Sequence, residues 1–205
     1  NQANSEDDPT EKRTRLGLIA FKLLEKGIGE DRLPENDLID LVLPEIRTIS
    51  SELEAKKEEI RKFLYGIAYR GGMIDEQDCS FAFRQHRSFQ EYLAGWHLVK
   101  NYAPYDLDRQ GEFIRQHLEN DQWEEPIRLA AGYLAIGGKG EANAFIRNVM
   151  GLGSSDRSRD FAIALAGLCL ADLPAQRVFP ELREELASEM LKVVKHEQPV
   201  LPIRL

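Results

Sequence analysis

The segment Phe81–Leu98 reads FAFRQHRSFQEYLAGWHL, and its periodicity changes in the middle. In the first part, Phe81 and Phe83 face one way while Ala82 and Arg84 face the other, as in a short strand with one buried face. The apolar residues of the second part recur at helical spacing and predict one core-facing stripe: Phe89, Tyr92, Leu93 and Trp96. The segment therefore predicts a strand that leads directly into an amphipathic helix.

The point where the period changes carries a helix-capping signature. Ser88 and Glu91 match the S-x-x-E capping box, in which the serine hydroxyl and the glutamate carboxylate each accept from the other residue's amide. We therefore expect Ser88 to begin the helix. His86 would then lie in the joint between strand and helix, and the joint would fix the direction of its imidazole.

The motif F-x-F-x-x-H-x-S-F-Q-E-Y-x-A-G, from Phe81 to Gly95, resembles the one that ends the winged-helix domain of NACHT-type STAND NTPases. These are the signalling ATPases of animal inflammasome sensors and their bacterial relatives. The order of the flanking helical segments extends the resemblance to roughly Arg13–Leu134. In that family the histidine at this joint contacts the phosphates of bound ADP and helps to hold the closed, inactive state. The resemblance therefore implies that His86 is a nucleotide-binding residue.

Two helices are predicted near the start of the chain. The first has an apolar stripe that stops at Gly27, a residue type that commonly follows a helix. Its stripe consists of Leu16, Ile19, Ala20, Leu23 and Leu24. The second is expected from Leu33 to about Glu45, with Pro34 at its first position, where the missing amide proton is tolerated.

A third helix and a hairpin are predicted next. A second S-x-x-E box at Ser51 predicts the start of this helix, and Gly71-Gly72 predicts its end. Met73-Ile74 and Phe81–Phe83 flank the polar residues Asp75–Asp78, which favours a β-hairpin with those four residues in its turn. Three helices followed by a small hairpin are typical of a winged helix.

These observations predict a mainly α fold. Residues 1–10 are polar and acidic and are expected to be disordered or the end of a linker. Residues 11–86 are expected to form the winged-helix-like domain, and residues 87–205 a helical domain. Ala131-Gly132 and Ala166-Gly167 are 35 residues apart, which suggests HEAT-like repeats. Small residues are also common wherever helices cross closely, so the repeat is one interpretation of two.

Composition narrows the classes of function. The 205 residues carry a net charge of −8, which argues against specific DNA binding because nucleic-acid sites need a basic surface. Cys79 and Cys169 lack metal or redox spacing and are expected to be free thiols in a reducing, cytoplasmic compartment. The sequence shows no signal peptide and no apolar run that could span a membrane. It opens with NQANSEDDPTEKR rather than Met, which predicts a fragment of a longer protein.

The candidate chemistry is sparse. His86 could donate an N–H to a phosphate oxygen, or it could simply hydrogen-bond to the backbone at the joint. Arg84 and Arg87 could grip phosphate or stay solvated. Gly138-Lys139-Gly140 is not a P-loop, because Tyr133 occupies the first glycine position and Gly140 replaces the hydroxyl residue that holds Mg²⁺. No histidine or cysteine spacing favours a metal site. We therefore expect this chain to have no catalytic residues and no cofactor of its own.

The sequence leads to two hypotheses. By resemblance, the chain is the regulatory part of a nucleotide-switched NACHT-type signalling protein, where His86 contacts ADP bound to an upstream NACHT domain. That parent protein would use ADP or ATP with Mg²⁺, and its helical domain would bind an unknown protein or ligand. Roles in innate immunity and antiviral defence are implied only by the resemblance. The alternative is a helical-repeat scaffold whose winged helix binds protein or DNA.

Overall fold

The computed structural model describes residues 8–27, 32–83 and 87–195. Within those ranges the chain is mainly helical, with nine α-helices and three short strands. It divides into two compact units, the first ending at His97 and the second beginning at Leu98. The predicted fold class, a winged-helix-like domain with a small sheet followed by a helical domain, is confirmed.

The first unit has the element order of a winged helix. Its elements are α1 (Pro9–Glu25), β1 (Leu33–Pro34), α2 (Glu35–Val42), α3 (Leu53–Gly71), β2 (Asp75–Gln77), β3 (Ser80–Ala82) and α4 (Arg87–His97). The strands form an antiparallel sheet in the order β1-β3-β2, so β3 is its central strand. The three helices α1 to α3, together with this sheet, account for the predicted winged-helix pattern.

Helix α1 forms as its sequence predicts. Asp8 caps it by accepting from the Thr10 amide at 2.9 Å, and Pro9 occupies the first helical position. All five residues of the predicted stripe are at most 3% exposed: Leu16, Ile19, Ala20, Leu23 and Leu24. Gly27 follows the helix at φ +72°, a left-handed conformation that glycine adopts without a steric penalty. The predicted end of the helix is therefore confirmed.

The start of α2 differs from the prediction. Leu33 and Pro34, expected to be helical, instead pair with Phe81 and Ser80 of β3, and the helix begins at Glu35. Pro34 suits this position because an edge strand can tolerate a residue without an amide proton. A long-range pairing thus overrides the local helix signal.

The start of α3 is also later than predicted. The helix begins at Leu53 with Glu52 as its N-cap, and no side chain caps it. Ser51 is therefore not the capping residue, and it is Ser50 whose hydroxyl accepts from the Glu52 amide at 3.2 Å. The end agrees with the prediction, since Gly72 follows the helix at φ +62°.

The hairpin is tighter than predicted. Asp75–Gln77, expected in the turn, forms strand β2, and only Asp78 and Cys79 remain between the strands. Both have positive φ, 52° and 56°, as in the two-residue turns that match the twist of a hairpin. Phe81 and Phe83 are each 1% exposed, so the predicted buried face is confirmed. Ala82 is 2% exposed, so the expectation that only one face of the strand is buried is wrong.

Helix α4 packs along α1 at a point of close approach. A Cβ atom built on Gly17 would lie 3.1 Å from Cε3 of Trp96 and 3.3 Å from Cβ of His97. The His97 ring also packs on Phe21, with their centroids 5.1 Å apart. Gly17 therefore sets the distance between the two helices.

The described residues of the second unit form helices joined by short connections, with no strand among them. A π-helix (Leu98–Tyr102) precedes α5 (Leu107–His117), α6 (Asp121–Gly137), α7 (Lys139–Met150), α8 (Asp156–Ala171) and α9 (Pro180–Lys195). Helix α6 packs on α7 and α8, and α8 packs on α7 and α9.

The two Ala-Gly pairs that suggested a repeat are only partly equivalent. Ala131 and Ala166 are both fully buried. A Cβ on Gly132 would meet nothing within 4 Å, whereas one on Gly167 would lie 3.0 Å from Cε of Met190. The HEAT-like repeat therefore stays a prediction.

Gly17→Ala should destabilise the first unit. Overpacking a well-packed site costs about 1–3 kcal/mol, whereas replacing glycine in a helix gains about 0.5–1 kcal/mol. We expect a net loss of about 1 kcal/mol, measured by urea denaturation, because the buried Trp96 ring and the Cβ of His97 would have to move.

Gly66→Ala in α3 is the matched control, because the added Cβ would meet only the flexible end of Arg70, 3.3 Å away. It should leave the stability unchanged or raise it. Equal stability changes in the two variants would show that α1 and α4 tolerate a larger separation.

Candidate functional site

The candidate site is the junction between β3 and α4. Arg84 and His86, the residues predicted to approach a nucleotide, lie outside the described residues. Phe83 precedes the junction and Arg87, the first residue of α4, follows it. The structure thus describes both flanks of His86.

Both flanks are held by the core of the first unit. On one side, β3 is bonded to a strand on each edge, and Phe83 is 1% exposed. On the other side, Gln90 and Leu93 of α4 are at most 5% exposed, and Trp96 packs on α1 beside Gly17. The chain therefore enters and leaves the junction at fixed positions.

The predicted capping box at Ser88 is wrong. Ser88 is already the second residue of α4 and is exposed. The Glu91 carboxylate accepts from Nε of Arg87 at 2.9 Å, an i,i+4 pair along the helix. Because α4 starts before Ser88, Glu91 does not complete a capping box. Its carboxylate instead stabilises the first turn by binding the Arg87 side chain.

The predicted apolar stripe of α4 is partly confirmed. Leu93 and Trp96 are 5% and 6% exposed, and Tyr92 is half-buried. Phe89, expected in the core, is 45% exposed. Because it lies in the first turn, it precedes the stretch of α4 that packs on α1.

The first turn of α4 suits an anionic ligand. It contains no acidic residue, and Arg87 and Ser88 are exposed beside the helix N-terminus. The free amides and the dipole at a helix N-terminus favour negative charge, and a serine hydroxyl and a guanidinium add donors. The described flank of His86 is thus chemically compatible with a phosphate group.

Two cations of α3 are already bound to carboxylates, which disfavours their use in nucleic-acid binding. Lys57 pairs with Asp40 of α2 at 2.8 Å, and Arg61 pairs with Glu58 at 2.8 Å and with Glu35. The hydrogen bond from Arg61 lowers the pKa of the Glu35 carboxyl. A phosphate backbone would compete with carboxylates already bound to these side chains.

His97 is a buried histidine that the sequence pattern did not single out. It is 5% exposed at the end of α4, where it packs on Phe21. Burial lowers its pKa to about 4; the charge of Glu45 opposes this shift and that of Lys22 adds to it. The imidazole is therefore neutral near pH 7 and belongs to the core.

The cysteines agree with the prediction of free thiols. Cys79 is exposed in the hairpin turn and Cys169 is buried in α8. Burial raises the pKa of the Cys169 thiol to about 12, so this thiol is inert. Among the described helices, none has the length and apolar character needed to span a bilayer.

Three helices, a sheet ordered β1-β3-β2 and a two-stranded wing define a winged helix-turn-helix domain. Residues 1–98 match the family described as the winged helix-turn-helix domain C-terminal to NACHT, and this part of the chain belongs to that family. It is a NACHT-associated regulatory module that is not itself catalytic, and the family implies a NACHT domain as its partner in the parent protein. No curated protein and no solved structure gave a significant match.

Ser88→Ala should leave the free energy of unfolding within about 0.5 kcal/mol of the original value. Alanine is at least as good a helix former as serine, and Ser88 is exposed inside the helix. Urea denaturation checks this expectation. A loss of about 1 kcal/mol or more, the usual effect of removing an N-cap, would show that Ser88 does cap the helix.

Protonation of His97 should destabilise the fold in mild acid. Because its pKa is about 4 in the folded chain and 6.5 ordinarily, the unfolded chain binds more protons between these values, and stability falls as pH falls. From about pH 7 to about pH 5, His97 should account for a loss of about 2 kcal/mol in the free energy of unfolding.

The control is His97→Phe, which keeps an aromatic ring against Phe21 but cannot titrate. The difference in unfolding free energy between the two proteins should change over this pH range, since every other titrating group is common to both. An unchanged difference would mean that His97 can be protonated in the folded state.

Proposed function

We propose that this chain is the regulatory part of a nucleotide-switched NACHT-type signalling protein. The observation that carries the proposal is the family match over residues 1–98, together with a fold in which both flanks of His86 are held by the core. In this proposal His86 donates an N–H to a phosphate oxygen of ADP bound to the NACHT domain.

The described neighbours of His86 support that role. The first turn of α4 lacks acidic residues, and its exposed Arg87 and Ser88 would not repel a phosphate near His86. ADP or ATP, with Mg²⁺, would be held by the NACHT domain, and this chain would contribute the histidine contact alone. Because β3 and α4 are anchored, the contact would depend on the position of the whole winged helix relative to the nucleotide.

Such a contact makes the winged helix a two-state switch. A ligand shifts a conformational equilibrium only by the difference in its affinity for the two states. A donor that reaches phosphate only in the closed state would make ADP favour that state, and nucleotide exchange would release it. The second unit would bind the protein or ligand that triggers opening, in the cytoplasm. A defence role is a further expectation from the resemblance.

The test is His86→Ala in the full-length parent protein. One hydrogen bond to a charged group contributes about 1.5–3 kcal/mol, so its loss should shift the closed-to-open ratio by about ten- to a hundredfold. We expect faster ADP release in stopped-flow measurements and signalling without the trigger.

Asn36→Ala is the control, because Asn36 is exposed on α2 and lies outside the junction between β3 and α4. It should leave basal signalling unchanged, and a thermal melt should show that both variants fold. Unchanged ADP release in a folded His86→Ala protein would contradict the proposal and return His86 to a structural role.

A further inference from the structure

A second candidate site lies in the first unit, between α1 and α3. It is a cleft of about 310 Å³ whose apolar surface comes from Phe63, Ile67 and Met73. Its charged lining comprises Glu11, Lys12, Arg15, Glu59, Lys62 and Arg70. None of these residues belongs to the junction around His86, so the proposed nucleotide contact gives the cleft no role.

The two carboxylates of the cleft are already engaged. Arg15 is 7% exposed, and it donates from Nε to Glu11 at 3.0 Å and from Nη2 to Glu59 at 2.7 Å. The other carboxylate oxygen of Glu59 accepts from the Ile49 amide at 2.8 Å. Arg15 therefore offsets one of the two negative charges, and the four cations and two carboxylates of the lining leave the cleft with a net charge of +2.

Two of the remaining cations extend from α3. The Lys62 side chain is 68% exposed, and Nζ lies 3.8 Å from Glu58, which is a weak ion pair. Arg70 is exposed and forms no ion pair with any residue that the structure describes. A cationic rim on a chain with a net charge of −8 favours an acidic occupant through charge complementarity.

Gly66 leaves room for the Arg70 side chain to lie in the cleft. A Cβ on Gly66 would be 3.3 Å from Nη2 of Arg70, and no other atom lies within 4 Å. Glycine inside a helix costs about 0.5–1 kcal/mol relative to alanine, and no close packing with another element requires it here. The glycine thus allows a guanidinium to lie against an apolar surface, where its hydrogen bonds to a carboxylate are strengthened.

From this geometry we infer that the cleft binds an extended acidic peptide with one apolar anchor. Lys62 and Arg70 are eight residues apart, about 12 Å along a helix that rises 1.5 Å per residue. An extended chain covers that distance in about four residues, and alternate side chains point the same way. The fitting pattern is Glu-x-Leu-x-Glu, with the leucine between Phe63 and Met73 and a carboxylate at each cation.

Peptide binding to the full 205-residue chain tests this inference. The probe is a peptide that contains Glu-Ala-Leu-Ala-Glu. Its binding is followed through the amide chemical shifts of the protein, which detect weak binding. The expected shifts fall on α1, on α3 and at Met73. Lys62→Glu and Arg70→Glu should each weaken binding about tenfold or more. Both residues are exposed, so the variants should fold, and a thermal melt checks that they do.

Three controls separate the cleft from general electrostatics. Arg183→Glu places the same charge change at an exposed position of α9, outside the cleft, and should leave affinity within about twofold. A peptide with glycine in place of leucine should bind more weakly, and one with lysine in place of both glutamates should not bind.

The inference is overturned by equal weakening in Arg183→Glu, by unchanged affinity of the glycine peptide, or by shifts that leave α1, α3 and Met73 unaffected. Benzoate is a further arm of the experiment. If it shifts the same amides at lower concentration than the peptide does, the occupant is a small carboxylate and the peptide assignment is wrong.

Discussion

The close approach of α1 and α4 at Gly17 is the constraint on which the first unit depends. Trp96 and His97 occupy the space that a side chain at this position would need, and Phe21 packs on the histidine ring. This contact places the start of α4 relative to the sheet, because only four residues lie between β3 and α4. Both described flanks of His86, β3 and α4, therefore depend on packing within the first unit.

Periodicity predicted most of the fold, because it reports burial. The stripe of α1 and the alternating Phe81 and Phe83 are buried as expected. The helix starts predicted by S-x-x-E at Ser51 and Ser88 are wrong, because this short local pattern does not by itself determine where a helix begins. Helix α3 begins after Ser51, and α4 begins before Ser88. At Leu33 and Pro34 the deciding interaction is a pairing with β3, nearly fifty residues away, which no local window contains.

The candidate sites also differ in how much of each could be predicted from the sequence. The position of His86 between strand and helix follows from the change of period, and its role comes from a resemblance rather than from geometry. The cleft could not be predicted, because it depends on Arg15 bridging Glu11 and Glu59, the latter 44 residues distant. His97 was missed because a histidine in an apolar stripe gives no sequence signal that distinguishes burial from exposure.

The short hairpin affects how this domain can approach other molecules. In winged helices that bind nucleic acid, the wing must tolerate a nearby polyanion. Here it carries Asp75, Glu76 and Asp78, and its tip is a two-residue turn stiffened by a bond from the Cys79 amide to Glu76. Arg32 is bound to Asp75 and to the Ser80 carbonyl, so it offsets one charge internally. Such a wing would be repelled by a phosphate backbone and attracted to a basic protein surface.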